Sequence, residues 1–325
     1  MAIHPSFFSL VMGLALGAAG PVMAKSYKQG QDKYTVDYTY TVPPLAKGDQ
    51  VEVWLPLAST DAFQTVGTTI TAPGLAVEST VNAKSGNHFL HTKADASAAG
   101  KSITVAYTVT RREKATYPAA AEVNDPAYLR SEPLMPLNDR FKKLALEITQ
   151  GKTSAEDKGR AIYNYVLKEM RYDKSGSGWG RGDAVYACDS KTGNCTDFHA
   201  LFIVLARSVG IPARFAIGFT IPSQADAGPI EGYHCWAEYA ANGSWIPVDI
   251  SEASKDPTTK DYYFGHHPAN RFQLTQGQQI ELVPASSQGP LTFLVHPYVE
   301  INGKAVKGTK GTYAYKRLAA PESKS

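Results

Sequence analysis

The chain has few cysteines, little net charge and no familiar metal-binding pattern, and these shortages exclude several kinds of chemistry. Its 325 residues hold 33 Lys and Arg against 30 Asp and Glu, a net charge of +3, with no basic cluster among aromatic residues. This balance argues against a nucleic-acid partner. No acidic loop is typical of a calcium site, and the Cys-x6-Cys-x3-His spacing of Cys188, Cys195 and His199 fits no common zinc pattern. We therefore expect neither a metal nor another cofactor.

Long apolar runs are also scarce, and the one of note lies at the N-terminus. Residues 7–19 are apolar, and the following Val-Met-Ala at 22–24 suits the −3 and −1 positions of a signal-peptidase cut. Residues 1–6 contain no Lys or Arg, so a retained N-terminal anchor is the alternative. We expect residues 1–24 to be a signal peptide, and the protein to be exported to the periplasm or secreted. No membrane span is expected after cleavage.

The three cysteines need an explanation in an exported chain, because an odd number leaves at least one thiol unpaired. If Cys195 stays free for chemistry, Cys188 and Cys235 are the pair that could form a disulfide. A reduced, buried pair fits the sequence equally well. The sequence alone therefore leaves this disulfide open.

The order of hydrophobic patterns predicts an α+β protein of two or three units. Apolar and polar residues alternate, as in half-buried strands, over residues 33–42, 51–55 and 103–109. Helices and then further strands are predicted at 139–150, 155–170, 195–209, 213–221, 233–239 and 245–250. We therefore place a β-sandwich-like domain at 26–118, a core of helices and strands at 119–265, and a C-terminal β-segment and tail at 266–325.

Cys195 is the strongest candidate for a nucleophile because of its position. It begins a predicted helix, and the preceding Asn194 is a favoured N-cap residue. A thiol at the positive end of a helix dipole, beside an imidazolium, has its pKa lowered from about 8.5 to roughly 3.5–7.5. The sequence therefore predicts a reactive thiolate at Cys195.

A predicted hairpin brings a base and a carboxylate together. Asn-Gly at 242–243 is a strong two-residue turn signal. Counting from this turn places Trp236 opposite Asp249 and His234 opposite Ser251, unless Pro247 introduces a bulge. His234 and Asp249 are then diagonal neighbours on one face of the sheet, within reach of a hydrogen bond. A thiol, a base and a carboxylate that orients the base form the catalytic group of many acyl-transfer enzymes.

His199 is a rival for the role of base, since it lies four residues after Cys195 on the same helical face. The sequence offers His199 no carboxylate placed as Asp249 is for His234. We therefore expect His199, together with Asn194 and Trp236, to support the catalytic group rather than react. Asp197, at the third position of the helix, is expected to interact with the helix dipole.

Four segments together resemble the core of the transglutaminase-like superfamily. They are Gly-Asn-Cys-Thr-Asp-Phe-His at 193–199, Arg-Ser-Val-Gly-Ile-Pro-Ala-Arg at 207–214, Gly-Tyr-His-Cys-Trp-Ala-Glu at 232–238 and Trp-Ile-Pro-Val-Asp at 245–249. The resemblance covers about residues 155–265. It implies a papain-like core, with the nucleophile helix packed on an antiparallel sheet, after an N-terminal β-domain. Some animal members place a Trp upstream of the Cys to help the oxyanion, so Trp179, and less directly Tyr172, are candidates on the substrate side.

The resemblance also implies thiol chemistry on amides of protein or peptide substrates. It does not fix the acyl acceptor, because the superfamily includes transferases, peptidases and amidases. We expect hydrolysis of a peptide or isopeptide-type amide by Cys195, His234 and Asp249, since water is the default acceptor. Cross-linking of protein glutamine is one alternative, and a non-catalytic module that binds cell-envelope peptides is another.

Overall fold

The computed structural model describes residues 30–119 and 125–318, together with the isolated positions 1 and 123. The predicted signal peptide therefore lies outside the described residues, apart from Met1. Within them, no helix is long and apolar enough to cross a bilayer. The strands, numbered along the chain, are β1 Gln31–Thr41, β2 Gln50–Leu57, β3 Gln64–Thr71, β4 Glu78–Val81, β5 His88–Asp95, β6 Ser102–Arg112, β7 Tyr117–Pro118, β8 Arg171–Tyr172, β9 Thr192–Gly193, β10 Ala213–Thr220, β11 Ala227–Pro229, β12 Tyr233–Ala241, β13 Ser244–Val248, β14 Arg271–Gln276, β15 Tyr298–Ile301, β16 Lys304–Ala305 and β17 Thr312–Arg317. The α-helices are α1 Asp139–Ile148, α2 Ala155–Glu169, α3 Ala184–Ser190, α4 Cys195–Ser208 and α5 Ile250–Lys255.

The β-domain is built from both ends of the chain. One five-stranded sheet has the order β11-β17-β1-β6-β3, and the other has the order β16-β15-β2-β5-β4. The predicted alternation is present in β1, where Tyr34, Val36 and Tyr38 are buried, and their side chains share a core with apolar residues of the second sheet. Strands from 298–317 pair with β1 and β2. These C-terminal strands therefore complete both sheets of the sandwich.

The core predicted at 119–265 is built on a third antiparallel sheet that carries a buried helix. The strand order is β14-β10-β12-β13-β7, and α4 packs against β12 and β10. Residues 195–207 of α4 are all buried, because α1, α2, α3 and α5 surround the helix on its other sides. The predicted helix on an antiparallel sheet, and with it the α+β fold, is confirmed.

The hairpin forms with the predicted register, but its second strand is shorter than predicted. Asn242 and Gly243 both have positive φ, and Ala237 pairs with Val248, so no bulge forms at Pro247. The strand predicted over 245–250 ends at Val248, because Asp249 caps the helix α5 by accepting a hydrogen bond from the Glu252 amide. The predicted pairing of His234 with Ser251 is therefore wrong. Helix α3 was also missed, since its seven residues are too few to show helical periodicity.

Gly218 is where the sheet leaves no room for a side chain. It pairs with His234 on one side and with Gln273 on the other. A Cβ at this position would lie 1.9 Å from the carbonyl oxygen of Phe272. Since that oxygen belongs to the backbone of β14, only separation of β10 from β14 could relieve the clash.

We expect Gly218→Ala to lower the free energy of unfolding by about 3 kcal/mol, because overpacking a buried site forces the backbone apart. Gly232→Ala is the matched control, since a Cβ there meets nothing within 4 Å; its effect should stay within about 0.5 kcal/mol. Urea unfolding of the two variants measures the difference. Equal midpoints would contradict the tight pairing of β10 with β14.

Candidate active site

Cys195 is the first residue of α4, and its side chain is only 1% exposed. Asn194 caps the helix as predicted: its Oδ1 accepts from the Thr196 amide at 2.9 Å. Asp197 completes the cap by accepting from the Asn194 amide at 3.0 Å. The cap fixes the start of the helix, so the thiol has one position relative to the sheet.

Asp197 has a further role that the sequence did not indicate. Its carboxylate also accepts from the backbone amides of Gly180 at 2.7 Å and Gly182 at 3.2 Å. The glycine-rich loop at 175–182 is thereby held against the start of α4. Asn194 also links the start of α4 to β12, because its Nδ2 donates to the hydroxyl of Tyr233 at 2.9 Å.

His234 and Asp249 form a short, buried hydrogen bond. Nε2 of His234 lies 2.7 Å from Oδ2 of Asp249, and both side chains are almost inaccessible to solvent. The other carboxylate oxygen, Oδ1, accepts from the Ser251 hydroxyl at 3.1 Å and the Glu252 amide at 3.2 Å. The carboxylate is thus fixed by α5, and Nδ1 of His234 is the ring nitrogen left for Cys195.

The Cys195 thiol and the His234 imidazole interact, and each favours the charged form of the other. Burial disfavours the imidazolium of His234, but the Asp249 carboxylate outweighs it and raises the pKa of His234 to about 9. Burial likewise disfavours the thiolate of Cys195, but hydrogen bonds from Cys235 and His234 lower the pKa of Cys195 well below its usual value. Near neutral pH, these directions favour a thiolate paired with an imidazolium.

Cys235 is a functional neighbour that the sequence reasoning missed. Burial raises the pKa of Cys235 well above its usual value, so its S–H stays protonated and donates to the Cys195 thiolate. All three cysteines are free, and Cys188 lies instead 3.3 Å from Nη2 of Arg140. No disulfide joins Cys188 to Cys235.

His199 is held in a form that cannot serve as the base. Its Nδ1 donates to the carbonyl oxygen of Cys195 at 2.8 Å, and its Nε2 accepts from the amide of Ile250 at 3.1 Å. Burial lowers the pKa of His199, in keeping with a neutral ring. His199 therefore links the start of α4 to the start of α5.

The aromatic candidates Tyr172, Trp236 and Trp179 differ in their surroundings. Tyr172 pairs with Gly193 through β8 and β9, and burial together with the nearby Cys195 charge raises its pKa. Trp236 is fully buried, with its ring 6.1 Å from that of His234. Trp179 lies in the glycine-rich loop with Lys174 Nζ at 5.9 Å from its ring, and its role toward an oxyanion stays a prediction.

Two cavities are lined by residues that neighbour the start of α4. One of about 660 Å³ is lined by Tyr172, Lys255 and the end of α2. The other, of about 510 Å³, is lined by Gly180, Phe293 and His296. Gly180 lies beside Asn194, and Tyr172 pairs with Gly193, so each cavity has one lining residue next to the residues that precede Cys195. Among the described residues, no three His, Cys, Asp or Glu side chains are arranged to hold a metal.

Loss of the Cys235 thiol should make Cys195 harder to ionise. We expect Cys235→Ala to raise the pH at which Cys195 reacts with iodoacetamide by about one unit, because one donor to the thiolate is lost. Cys188→Ala is the control, since Cys188 contacts Arg140 instead. Peptide mass spectrometry of the alkylated protein follows each cysteine separately. Identical pH curves for the two variants would contradict a hydrogen bond from Cys235.

Comparison with known proteins points to the same part of the chain. Residues 142–250 match the model of the transglutaminase-like superfamily. An uncharacterized protein of Haemophilus influenzae (strain ATCC 51907 / DSM 11121 / KW20 / Rd) is 27% identical over 229 residues, 59% of this chain and 62% of that protein. The uncharacterized protein YebA of Bacillus subtilis (strain 168) is 28% identical over 153 residues, 41% of this chain and 21% of YebA. The chain therefore spans less than two thirds of either relative.

A solved structure supports the fold over a longer range. A protein of Cytophaga hutchinsonii, named a "putative cysteine protease", is 16% identical, with a TM-score of 0.55 over 88% of this chain and 98% of that one. At this identity the likeness shows a shared fold. The family match ends one residue after Asp249, so it includes Cys195, His234 and Asp249. The chain thus carries, over residues 142–250, a domain of the transglutaminase-like superfamily.

Proposed function

We propose that this protein is a thiol-dependent acyl-transfer enzyme that hydrolyses peptide or isopeptide-type amides. The observation that carries the proposal is one buried cluster of side chains. Cys195 at a capped helix start interacts with His234, which lowers the pKa of the thiol, and His234 holds Asp249 at 2.7 Å. A nucleophile, a base and a group that orients the base are the three parts that such chemistry requires.

The first half of the reaction forms a thioester. The Cys195 thiolate attacks the amide carbonyl carbon, and the carbonyl oxygen becomes an oxyanion. His234 then gives its Nδ1 proton to the departing nitrogen as the C–N bond breaks, which releases an amine and leaves the acyl group on Cys195. Asp249 keeps the ring in one orientation and stabilises the imidazolium throughout.

The second half returns the enzyme to its starting state. Neutral His234 takes a proton from water, the hydroxide adds to the thioester carbon, and the thiolate leaves with the carboxylic acid released. The amide of Cys195 lies in the first turn of α4, where no helical carbonyl accepts its hydrogen, so it is suited to bind both oxyanions. Tyr172 and Trp179 are the candidates for contact on the substrate side.

Hydrolysis is favoured over cross-linking because water is the default acceptor. A protein-glutamine transglutaminase would instead accept a primary amine in the second half, with the same three residues. A protein or peptide substrate follows from the family, and cell-envelope peptides would suit an exported protein. Export itself rests on the predicted signal peptide at residues 1–24.

Mutation of the nucleophile separates an enzyme from a binding module. We expect Cys195→Ser to reduce amide hydrolysis by a factor on the order of 10⁴ or more, because the residues of such a group act as a unit. Cys188→Ser, a buried cysteine beside Arg140, should keep the wild-type rate. Release of a fluorogenic amine from a library of peptide amides measures the rate.

A fluorescent primary amine added to the same reaction distinguishes the acceptors. Release of free acid without labelling is the result expected for a hydrolase, whereas stoichiometric labelling of the acyl product would identify a transglutaminase. Unchanged turnover in Cys195→Ser would contradict the proposal. Binding of peptides without any turnover in the wild type would favour the non-catalytic module.

A further inference from the structure

A buried arginine shares the carboxylate that orients His234. Arg271 begins β14 and is 1% exposed. Its Nη2 donates to Oδ2 of Asp249 at 3.0 Å, and this is the same oxygen that lies 2.7 Å from Nε2 of His234. Two cationic groups thus meet on one atom, while Oδ1 is occupied by Ser251 and the Glu252 amide.

The positive charge of Arg271 disfavours the positive charge that His234 must carry. A fully buried carboxylate with the imidazolium as its one strong partner would hold that proton tightly, because charge interactions are strong where water is excluded. His234 would then be a strong base but a weak acid. The proposed reaction needs both functions, since the same proton must pass to the departing amine.

We propose that Arg271 is a positioning residue for the proposed reaction: it holds Asp249 ionised in place and, by sharing its Oδ2, limits how tightly the carboxylate binds the His234 imidazolium. The inference rests on the proposed function, because it assigns Arg271 a part in the same proton transfer. A guanidinium suits the task, since it remains charged in a buried site and its planar group of donors matches a carboxylate.

Other ionisable groups face this cluster from every neighbouring element. Those nearest to His234, Asp249 and Arg271 are Cys195 and His199 of α4, Cys235 of β12, Glu252 of α5, Tyr163 of α2, Tyr34 of β1, and Tyr263 and His267 of the segment before β14. Glu252 Oε2 lies 3.9 Å from Arg271 Nη2, so it offsets part of the guanidinium charge. None of these groups is a third cation on Oδ2.

The titration of His234 tests the inference without a substrate. Protein labelled with ¹³C-histidine is followed by NMR against pH, with His234→Ala to assign the signal. Arg271→Gln removes the competing charge, so we expect the His234 titration to move upward by about one pH unit. Arg271→Lys retains a charge near Oδ2 and should move it by less than half of that shift.

A matched variant distinguishes the effect of losing a charge beside Asp249 from the effect of losing any buried arginine ion pair. Arg207 is also buried and pairs with Glu132 at 3.0 Å, on the other end of α4. Arg207→Gln should leave the His234 titration at its wild-type value. An unchanged or lowered His234 pKa in folded Arg271→Gln would overturn the inference. If Arg271→Gln does not fold, a full-unit shift in Arg271→Lys would overturn it.

The same samples distinguish this failure from failure of the proposed function. Thiolate absorbance at neutral pH, present in the wild type and absent in Cys195→Ser, reports the Cys195–His234 pair. Absence of the thiolate signal from the wild type would contradict the proposed function itself. If the thiolate signal is present but the His234 titration does not change when Arg271 is substituted, only the role of Arg271 would be contradicted.

Discussion

The site depends on one hydrogen bond between His234 and Asp249, made where water cannot reach it. Both side chains are buried, and the atoms lie 2.7 Å apart. An unpaired carboxylate in such a place would cost several kcal/mol. The surrounding structure therefore has to supply every remaining partner of Asp249, and it does so from α5 and β14. The charge of Asp249 in turn makes a protonated His234, and so an ionised Cys195, possible at neutral pH.

Distant segments are needed to build this small site. Cys195 comes from the start of α4, His234 from β12, Asp249 from the end of a hairpin, and Arg271 from the far edge of the same sheet. The sheet fixes the last three relative to one another, and the Asn194–Asp197 cap fixes the first. The sandwich, completed by strands from the C-terminal part of the chain, encloses one edge of this sheet, where the Tyr34 hydroxyl donates to the Arg271 carbonyl.

The features that the sequence predicts are those formed by residues close together in the chain. The capped start of α4 and the Asn-Gly turn are local signals, and counting from the turn was enough to bring Asp249 toward His234. Helix α5 was missed because its six residues show no periodicity. Arg271 was missed because only the order of strands places β14 near Asp249. Pairing of β17 with β1 joins residues nearly 300 positions apart, and nothing in either segment announces its partner.

In the proposed site His234 ionises Cys195, and the pH dependence of Cys195 alkylation measures this coupling. Iodoacetamide labelling, followed at Cys195 by peptide mass spectrometry, would be compared in the wild type and in His234→Ala. We expect wild-type Cys195 to react well below pH 7, whereas the variant should react only as pH approaches about 8.5, the ordinary pKa of a thiol. Identical curves that both rise near about pH 8.5 would refute the coupling, because the thiol and the imidazole would then titrate independently.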